Sequence, residues 1–244
     1  MSNSKNKNNS KYFNFPVQFL TGFLENPITS LNIICKYCLY HHSLKLNNNK
    51  KIDRFIAATF YFDLSYGDGG HQAYVDAMND AERIYNNSIA EHGENPPKTG
   101  LKIEVFKRFI IENKSKFDYT CLLAFLALKS IIGKKPYCKT TNNYWLARMD
   151  GKTHSVNDKS ELSDQIQKFS NEYQTKKIKS ELQNSWGLIT YSRYTRGFYI
   201  SFQMKLEDLI YQAELNRKST LDKQRKLEQK IVLERVLKMI EEGK

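Results

Sequence analysis

The chain has 244 residues, a mass of 28.6 kDa and a formal net charge of +12 at pH 7. Its 40% hydrophobic and 13% aromatic content excludes a disordered chain, and its length accommodates one large or two small domains. No apolar run is long enough to span a bilayer, and residues 1–11 lack the apolar core of a signal peptide. We therefore expect a cytoplasmic protein with no membrane partner. In that compartment the cysteines are expected to be free thiols, at Cys35, Cys38, Cys121 and Cys138.

The positive charge is concentrated in one part of the chain. Residues 117–202 contain 13 Lys and Arg against seven Asp and Glu, whereas residues 16–116 contain 12 against 11. A basic surplus confined to one module is typical of a protein that binds a polyanion. The alternative is that these charges only solvate a surface, and the charge distribution alone does not exclude it.

The first hundred residues predict a short tail followed by a helical unit. Residues 1–13 begin with an Asn, Lys and Ser run and predict a disordered basic tail. Residues 14–100 predict an N-terminal helical unit whose first helix is capped by Ser30. Helices are predicted over residues 31–42, 51–65 and 71–91. The loop at residues 92–100 has two prolines and two glycines, which predicts the boundary between this unit and the rest.

Two segments resemble chemical motifs but lack parts that the chemistry needs. The segment CKYCLYHH has the ligand types of a zinc site, at Cys35, Cys38, His41 and His42. A single helix cannot surround one ion with four ligands, so we predict core residues here and neither a metal nor a cofactor. The glycine cluster at residues 66–70 lacks the lysine of a phosphate-binding loop and predicts a turn. The five histidines lie in unrelated contexts without a catalytic motif, so we do not predict an enzyme.

The next hundred residues predict helices followed by two strands. Helices are predicted over residues 101–113, 119–132 and 140–151, the last with a capping Thr and with Trp145, Leu146 and Met149 facing inward. A further helix begins near residue 172, with an apolar stripe of Tyr173, Ile178, Leu182 and Trp186. Gly187 stands where this helix ends. The period then changes to two, which predicts strands at residues 188–191 and 197–202 joined by a basic turn.

This order of elements resembles the winged helix-turn-helix family of DNA-binding proteins. The stretch TTNNYWLARMDG at residues 140–151 is similar to the second helix of the family, and the helix after residue 172 is similar to its recognition helix. The family normally joins these two helices by a short turn. Here residues 152–171 intervene and contain an amphipathic piece at residues 161–169. Either this segment is an insertion, or the three helices are assigned one place off.

The resemblance implies a mainly α-helical fold in three parts after the tail. These are the N-terminal helical unit, a winged helix-turn-helix with a small β-hairpin wing over residues 101–203, and a long C-terminal helix over residues 204–244. It also implies that the recognition helix and the wing bind double-stranded DNA. The expected DNA-binding residues of the helix are Gln174, Thr175, Lys176, Lys177, Ser180, Gln183 and Asn184. The wing is expected to contribute Arg193, Tyr194 and Arg196, with further backbone contacts from Lys134, Lys135 and Lys139. The aromatic residues expected in the core are Trp145, Trp186 and Phe198.

The C-terminal segment predicts one long helix, with a break near Ser219 and Thr220 as an alternative. Its apolar stripe fades in the middle and returns at Leu227 and Ile231. Because no heptad is sustained, the pattern does not choose among a helix that docks on the body, one that forms a homodimer and a coiled coil.

Two roles agree with the predicted DNA binding. One is a transcriptional regulator, and the other is a replication or mobile-element protein of phage or plasmid type that binds an origin. The sequence does not separate them. The alternative from a different class is a helical protein–protein adaptor with no nucleic-acid role, for which binding would be insensitive to salt.

Overall fold

The computed structural model describes residues 11–48, 50–64, 70–193 and 197–241, with side chains described up to residue 238. Within these ranges the fold is mainly helical, as predicted, with nine α-helices and two small antiparallel sheets. None of the helices described there combines the length and apolarity needed to cross a membrane.

The N-terminal part consists of a pair of strands with three helices between them along the chain and a fourth helix after the second strand. Its elements in chain order are β1 Tyr12–Pro16, α1 Pro27–Ser43, α2 Lys51–Tyr61, α3 Gly70–His92, β2 Lys98–Lys102 and α4 Ile103–Ile111. Helix α1 begins earlier than predicted, because the side chain of Asn26 accepts the Thr29 N–H and Pro27 occupies the first turn. The predicted cap Ser30 therefore lies inside the helix.

The strand pair β1–β2 corrects two predictions. Phe13 is buried in β1 and lies opposite Leu101, so residues 12 and 13 do not belong to the tail predicted over residues 1–13, of which residues 1–10 lie outside the described residues. The helix predicted from residue 101 begins instead at Ile103, since Thr99 and Leu101 alternate inward as strand residues. Strand β2 thus crosses the predicted boundary at residue 100, and the buried side chains on both sides form one continuous cluster.

Helix α5, Lys116–Ile132, occupies the centre of this cluster. The Ser115 side chain and Asp118 form a capping box at its N-terminus. Most of its residues from Tyr119 onward are buried, which is expected for a helix that is apolar on nearly all sides. It contacts β2 in the N-terminal part and two later helices, and so joins the two halves of the core.

The region after α5 alternates helices with a three-stranded sheet. Its elements are β3 Cys138–Thr140, α6 Asn142–Met149, α7 Asp164–Gln167, α8 Glu172–Ser185, β4 Ile189–Tyr191 and β5 Phe198–Ser201. The sheet is antiparallel in the order β3-β5-β4. Helix α6 has the predicted cap, since Thr141 accepts the Tyr144 N–H at 3.2 Å. Trp145, Leu146 and Met149 face inward, as predicted.

Residues 152–171 do not form the single amphipathic helix predicted at residues 161–169. They contain a 3-10 turn, Lys159–Glu161, and the four-residue α7. The buried carboxylate of Asp150 holds this segment by accepting the Ser163 backbone N–H at 3.0 Å and its hydroxyl at 2.5 Å. The Lys152 ammonium lies 2.8 Å from the same carboxylate. The segment is therefore anchored at the end of α6.

The chain ends in a long helix, α9 Leu206–Glu241. Its 36 residues span about 54 Å, without the break that was considered near Ser219. Its first turns pack on β4 and β5 through Leu209 and Ala213. From residue 215 to residue 238 every side chain is exposed.

Candidate nucleic-acid interface

The inner face of α8 differs from the prediction at two residues. Thr175, Ile178 and Leu182 are buried, whereas Tyr173 is 71% exposed. With about 100° between successive helical residues, Thr175 falls within 60° of Ile178 and Tyr173 falls about 140° away. The Thr175 hydroxyl donates back to the carbonyl groups of Asn171 and Glu172. Thr175 was expected to bind DNA, but its side chain is buried and belongs to the inner face of the helix.

The outer face of α8 carries the other residues predicted for it. The exposed side chains are those of Lys176, Lys177, Ser180, Gln183 and Asn184, with Gln174 half-buried at the edge. Tyr173, which the sequence placed in the core, joins this face. The helix ends where predicted, since Gly187 has a φ of +69° and the Leu188 N–H donates to the Leu182 carbonyl group at 3.1 Å. The face therefore presents amide, hydroxyl, ammonium and phenol groups together.

Partners already hold two lysines of the outer face in place. The Lys176 ammonium lies 2.7 Å from the Glu172 carboxylate, one turn earlier on the same helix. The Lys177 ammonium lies 4.7 Å from the centre of the Phe117 ring at the start of α5. Both contacts are at the surface, so they leave the ammonium groups open to a further anion.

Lys179 lies in a groove between α8, the start of α6 and the sheet. Its ammonium donates to Asn142 Oδ1 at 2.8 Å and lies 3.6 Å from the centre of the Phe198 ring. Burial lowers the pKa of Lys179 to about 8. The groove has a volume of about 360 Å³ and is also lined by Thr190 and Ser192. The sequence analysis does not predict Lys179 as a site residue. Its position one residue after Ile178, beside the apolar stripe, is the feature of the sequence that indicates a half-buried lysine.

The strand pair β4–β5 forms one side of the groove that contains Lys179. The Gln183 amide donates to Thr190 Oγ1 at 3.0 Å, which ties the outer face of α8 to β4. Gly197 has a φ of +96°, and a Cβ there would overlap the Thr140 carbonyl oxygen. A residue with a side chain would therefore separate β5 from β3 at the base of the turn.

The basic turn between β4 and β5 is only partly described. Arg193 lies there with its guanidinium 3.6 Å from the Glu214 carboxylate of α9. Glu214 also accepts the Tyr191 hydroxyl at 2.9 Å and pairs with Arg217 at 2.8 Å. Predicted site residues Tyr194 and Arg196 lie outside the described residues. Arg193 thus faces α9, in the groove that Lys139 also lines.

The three predicted lysines before α6 lie away from the outer face of α8. Lys139 pairs with Tyr199 across strands β3 and β5, and its ammonium lies 5.9 Å from the centre of the Tyr199 ring. It also lines the groove that faces α9. Lys134 and Lys135 precede Pro136, whose carbonyl group accepts the Ser201 hydroxyl at the far end of β5. That end is opposite to the β4–β5 turn. The structure therefore does not bring these lysines together with α8.

The cysteine and histidine residues of α1 have packing partners of their own. Cys38 is buried and its thiol donates to the Asn14 carbonyl group at 3.5 Å. His41 stacks on the ring of Tyr37, and burial lowers its pKa to about 4. His42 stacks on the ring of Tyr61 with centroids 4.3 Å apart. Within the described ranges, no three His, Cys, Asp or Glu side chains are grouped as metal ligands.

The outer face of α8 offers the chemistry needed to contact nucleic acid. Ammonium groups match phosphate oxygens, and amide groups match the edges of bases. No protein-family model, no curated protein and no solved structure matches this chain.

Proposed function

We propose that this protein binds duplex DNA through a winged helix-turn-helix formed by residues 116–201. In this assignment α5 is the core helix, α6 the second helix and α8 the recognition helix. Strands β4 and β5 form the wing, and β3 completes its sheet. The order of these elements along the chain supports the assignment.

The outer face of α8 is the observation that carries the proposal. It is exposed and rich in hydrogen-bond donors, and a single helix of this kind has the dimensions to enter a major groove. The groove that contains Lys179 lies beside this face and offers a place for a phosphate to bind. The Lys179 ammonium has Asn142 as a neutral partner, so a phosphate oxygen would meet an uncompensated cation there.

The shortness of the helical segments between α6 and α8 supports an insertion at residues 152–171 rather than a shift of the three assigned helices by one place. Helix α7 has only four residues and its Ile166 is buried, so it has too little exposed surface to serve as a recognition helix. Helix α8 has 14 residues and a full polar face. We therefore assign residues 152–171 as an insertion between the second and third helices.

The proposal contains no catalytic step and leaves two biological roles open. A transcriptional regulator and a replication or mobile-element protein that binds an origin would use the same face. The adaptor alternative would use it to bind a protein, in which case the charges of α8 would contribute little to affinity.

Salt dependence of DNA binding tests the proposal directly. Three lysines, Lys176, Lys177 and Lys179, border the proposed interface and Arg193 belongs to the proposed wing, so the log–log slope of affinity against salt should be about −3 to −4. Raising salt from about 50 to about 200 mM should then weaken binding to random duplex DNA about 100-fold. The measurement is fluorescence anisotropy of a labelled duplex at the two salt concentrations. No binding at low salt, or binding that ignores salt, would favour the adaptor.

We also propose that the exposed part of α9 pairs with α9 of a second copy. The side chains of Val232, Leu233, Val236 and Leu237 form one apolar stripe near its end, each at least 40% exposed. The exposed stretch of 24 residues, from 215 to 238, is about 36 Å long, and identical helices can bury the same stripe against each other.

Charged substitutions on that stripe should convert the dimer to a monomer. Val232→Glu with Val236→Glu would place charges inside the proposed interface, and light scattering after size exclusion should report the mass of one chain. Leu227→Glu is the matched control, because residue 227 lies on the opposite side of the helix from residue 236. An equal mass for all three proteins would contradict the pairing.

A further inference from the structure

A cavity of about 420 Å³ lies on the opposite flank of α8 from Lys179. It is bounded by β2 and α4 of the N-terminal part, by α5, and by the C-terminal turn of α8. This volume falls in the range of small-molecule sites, which is about 300–1,000 Å³. Gly100 lies at its edge, beside Asn14 and Tyr12 of β1.

One wall of the cavity is aromatic. The Trp186 ring lies 4.9 Å from the Phe125 ring and 6.0 Å from the Phe109 ring, measured between centroids. Tyr12 lies at the mouth and is 42% exposed. A wall of this kind offers stacking surface to a planar ring and offers little to a purely aliphatic molecule.

The other walls carry more positive than negative charge. The cations that line the cavity are Lys102, Arg108, Lys114 and Lys129, and the acids are Asp118 and Glu181. Ser115 already holds the Asp118 carboxylate through its backbone N–H at 2.9 Å and its hydroxyl at 2.7 Å. Lys114 is paired with Glu112 at 2.5 Å. These hydrogen bonds lower the pKa of Asp118 and favour its charged form. Apart from the Lys114–Glu112 pair, the lining therefore carries three cations and two carboxylates.

Lys129 is the most confined of the remaining cations. Burial and the nearby Lys102 lower its pKa, which means that its charge is poorly compensated. Among the described residues no carboxylate pairs with Lys129, Lys102 or Arg108; the Lys129 ammonium lies only over the Phe202 ring, at 5.2 Å. An anion in the cavity would supply the missing partner.

We infer that this cavity binds a nucleotide, with the base stacked on the aromatic wall and the phosphate held by Lys129, Lys102 and Arg108. A planar ring and a phosphate within one small molecule match both walls at once. The nucleotide is either free in solution or part of a single strand, because both present the same ring and phosphate. The inference does not depend on duplex binding by the outer face of α8.

Tryptophan fluorescence gives a direct readout, because Trp186 lines the cavity and the other tryptophan, Trp145, is fully buried. The full chain is titrated with AMP, with inorganic phosphate and with single-stranded oligothymidylate, excited where nucleotides do not absorb. AMP or the oligonucleotide should quench Trp186, and phosphate alone should not. Quenching by AMP identifies the free nucleotide, and quenching by the oligonucleotide alone identifies the single strand.

Lys129→Met should weaken this binding about tenfold or more, because it removes the charge-assisted contact and keeps an unbranched side chain over Phe202. Arg108→Gln, at an exposed position, is a second variant that leaves the core untouched. Lys134→Met is the control, since Lys134 is exposed just after α5 and outside the cavity. Duplex titrations of the same proteins should be unchanged, so a failure of the proposed function would be seen separately. No quenching by any nucleotide at millimolar concentration, or an affinity of both cavity variants equal to that of the unchanged protein, would overturn the inference.

Discussion

Replacing Lys176 and Lys177 together by glutamate should weaken binding to duplex DNA by on the order of 100-fold or more. Each lysine stands for one charge-assisted contact worth about 1.5–3 kcal/mol, and the glutamates add repulsion from the phosphates. Both side chains are exposed, and their present partners are the surface carboxylate of Glu172 and the Phe117 ring. The free energy of unfolding should therefore change by less than about 1 kcal/mol. Anisotropy titration and urea unfolding measure the two quantities.

A control double variant distinguishes the effect of where the lysines lie from the effect of the change in net charge. Lys45→Glu with Lys50→Glu makes the same change in net charge at two exposed positions between α1 and α2. It should lower affinity only slightly, because exposed charges beyond about 10 Å are screened at 0.1 M salt. Equal losses for the two double variants would mean that DNA responds to overall charge, and α8 would not be the recognition helix.

Gly151→Ala should destabilise the fold by about 2–5 kcal/mol. Gly151 follows α6 with a φ of +75°, a conformation that costs an L-residue about 1–2 kcal/mol. A Cβ there would also overlap the Thr21 hydroxyl and lie 2.9 Å from the Thr21 backbone nitrogen. Relieving that overlap requires the backbone of the N-terminal part to move, at a further cost of about 1–3 kcal/mol. Urea unfolding measures the sum.

Gly93→Ala isolates the conformational part of this cost. Gly93 has a φ of +76°, and no atom lies within 4 Å of the position that a Cβ would take. It should cost only the 1–2 kcal/mol of the left-handed conformation. If the two alanine variants lose the same stability, the close approach of Thr21 to Gly151 contributes nothing to the fold.

Local signals in the sequence were sufficient for several elements of the region around α8. Thr141 caps α6 as predicted, because an N-cap depends on residues within one turn. Gly187 ends α8 as predicted, because a left-handed residue after a helix needs no tertiary contact. The long helix α9 was also predicted correctly, from a stretch almost free of glycine and proline.

Features that depend on distant residues were predicted less well. The sequence does not predict strand β2, because its partner β1 lies near the other end of the N-terminal part and neither strand is long enough to be recognised alone. The predicted apolar stripe includes Tyr173 because it is an apolar residue near helical spacing, whereas the helical angle favours the polar Thr175. Lys179 was missed because its groove exists only when α6, α8 and β5 meet. The cavity beside Trp186 is not predicted from the sequence either, because it too exists only where several distant elements meet.

The strand pair β1–β2 has a consequence for experiments that divide the chain. A fragment starting after residue 100 would lose β1, half of β2 and the apolar surface that Phe13 and Phe15 bury. Helix α5 would then expose to water the side that contacts β2. We expect residues 11–213 to unfold in one transition, with matching hydrogen-exchange protection in α5 and in β1. Deletion mapping that treats the proposed DNA-binding region as a separable module would therefore report loss of folding as loss of function.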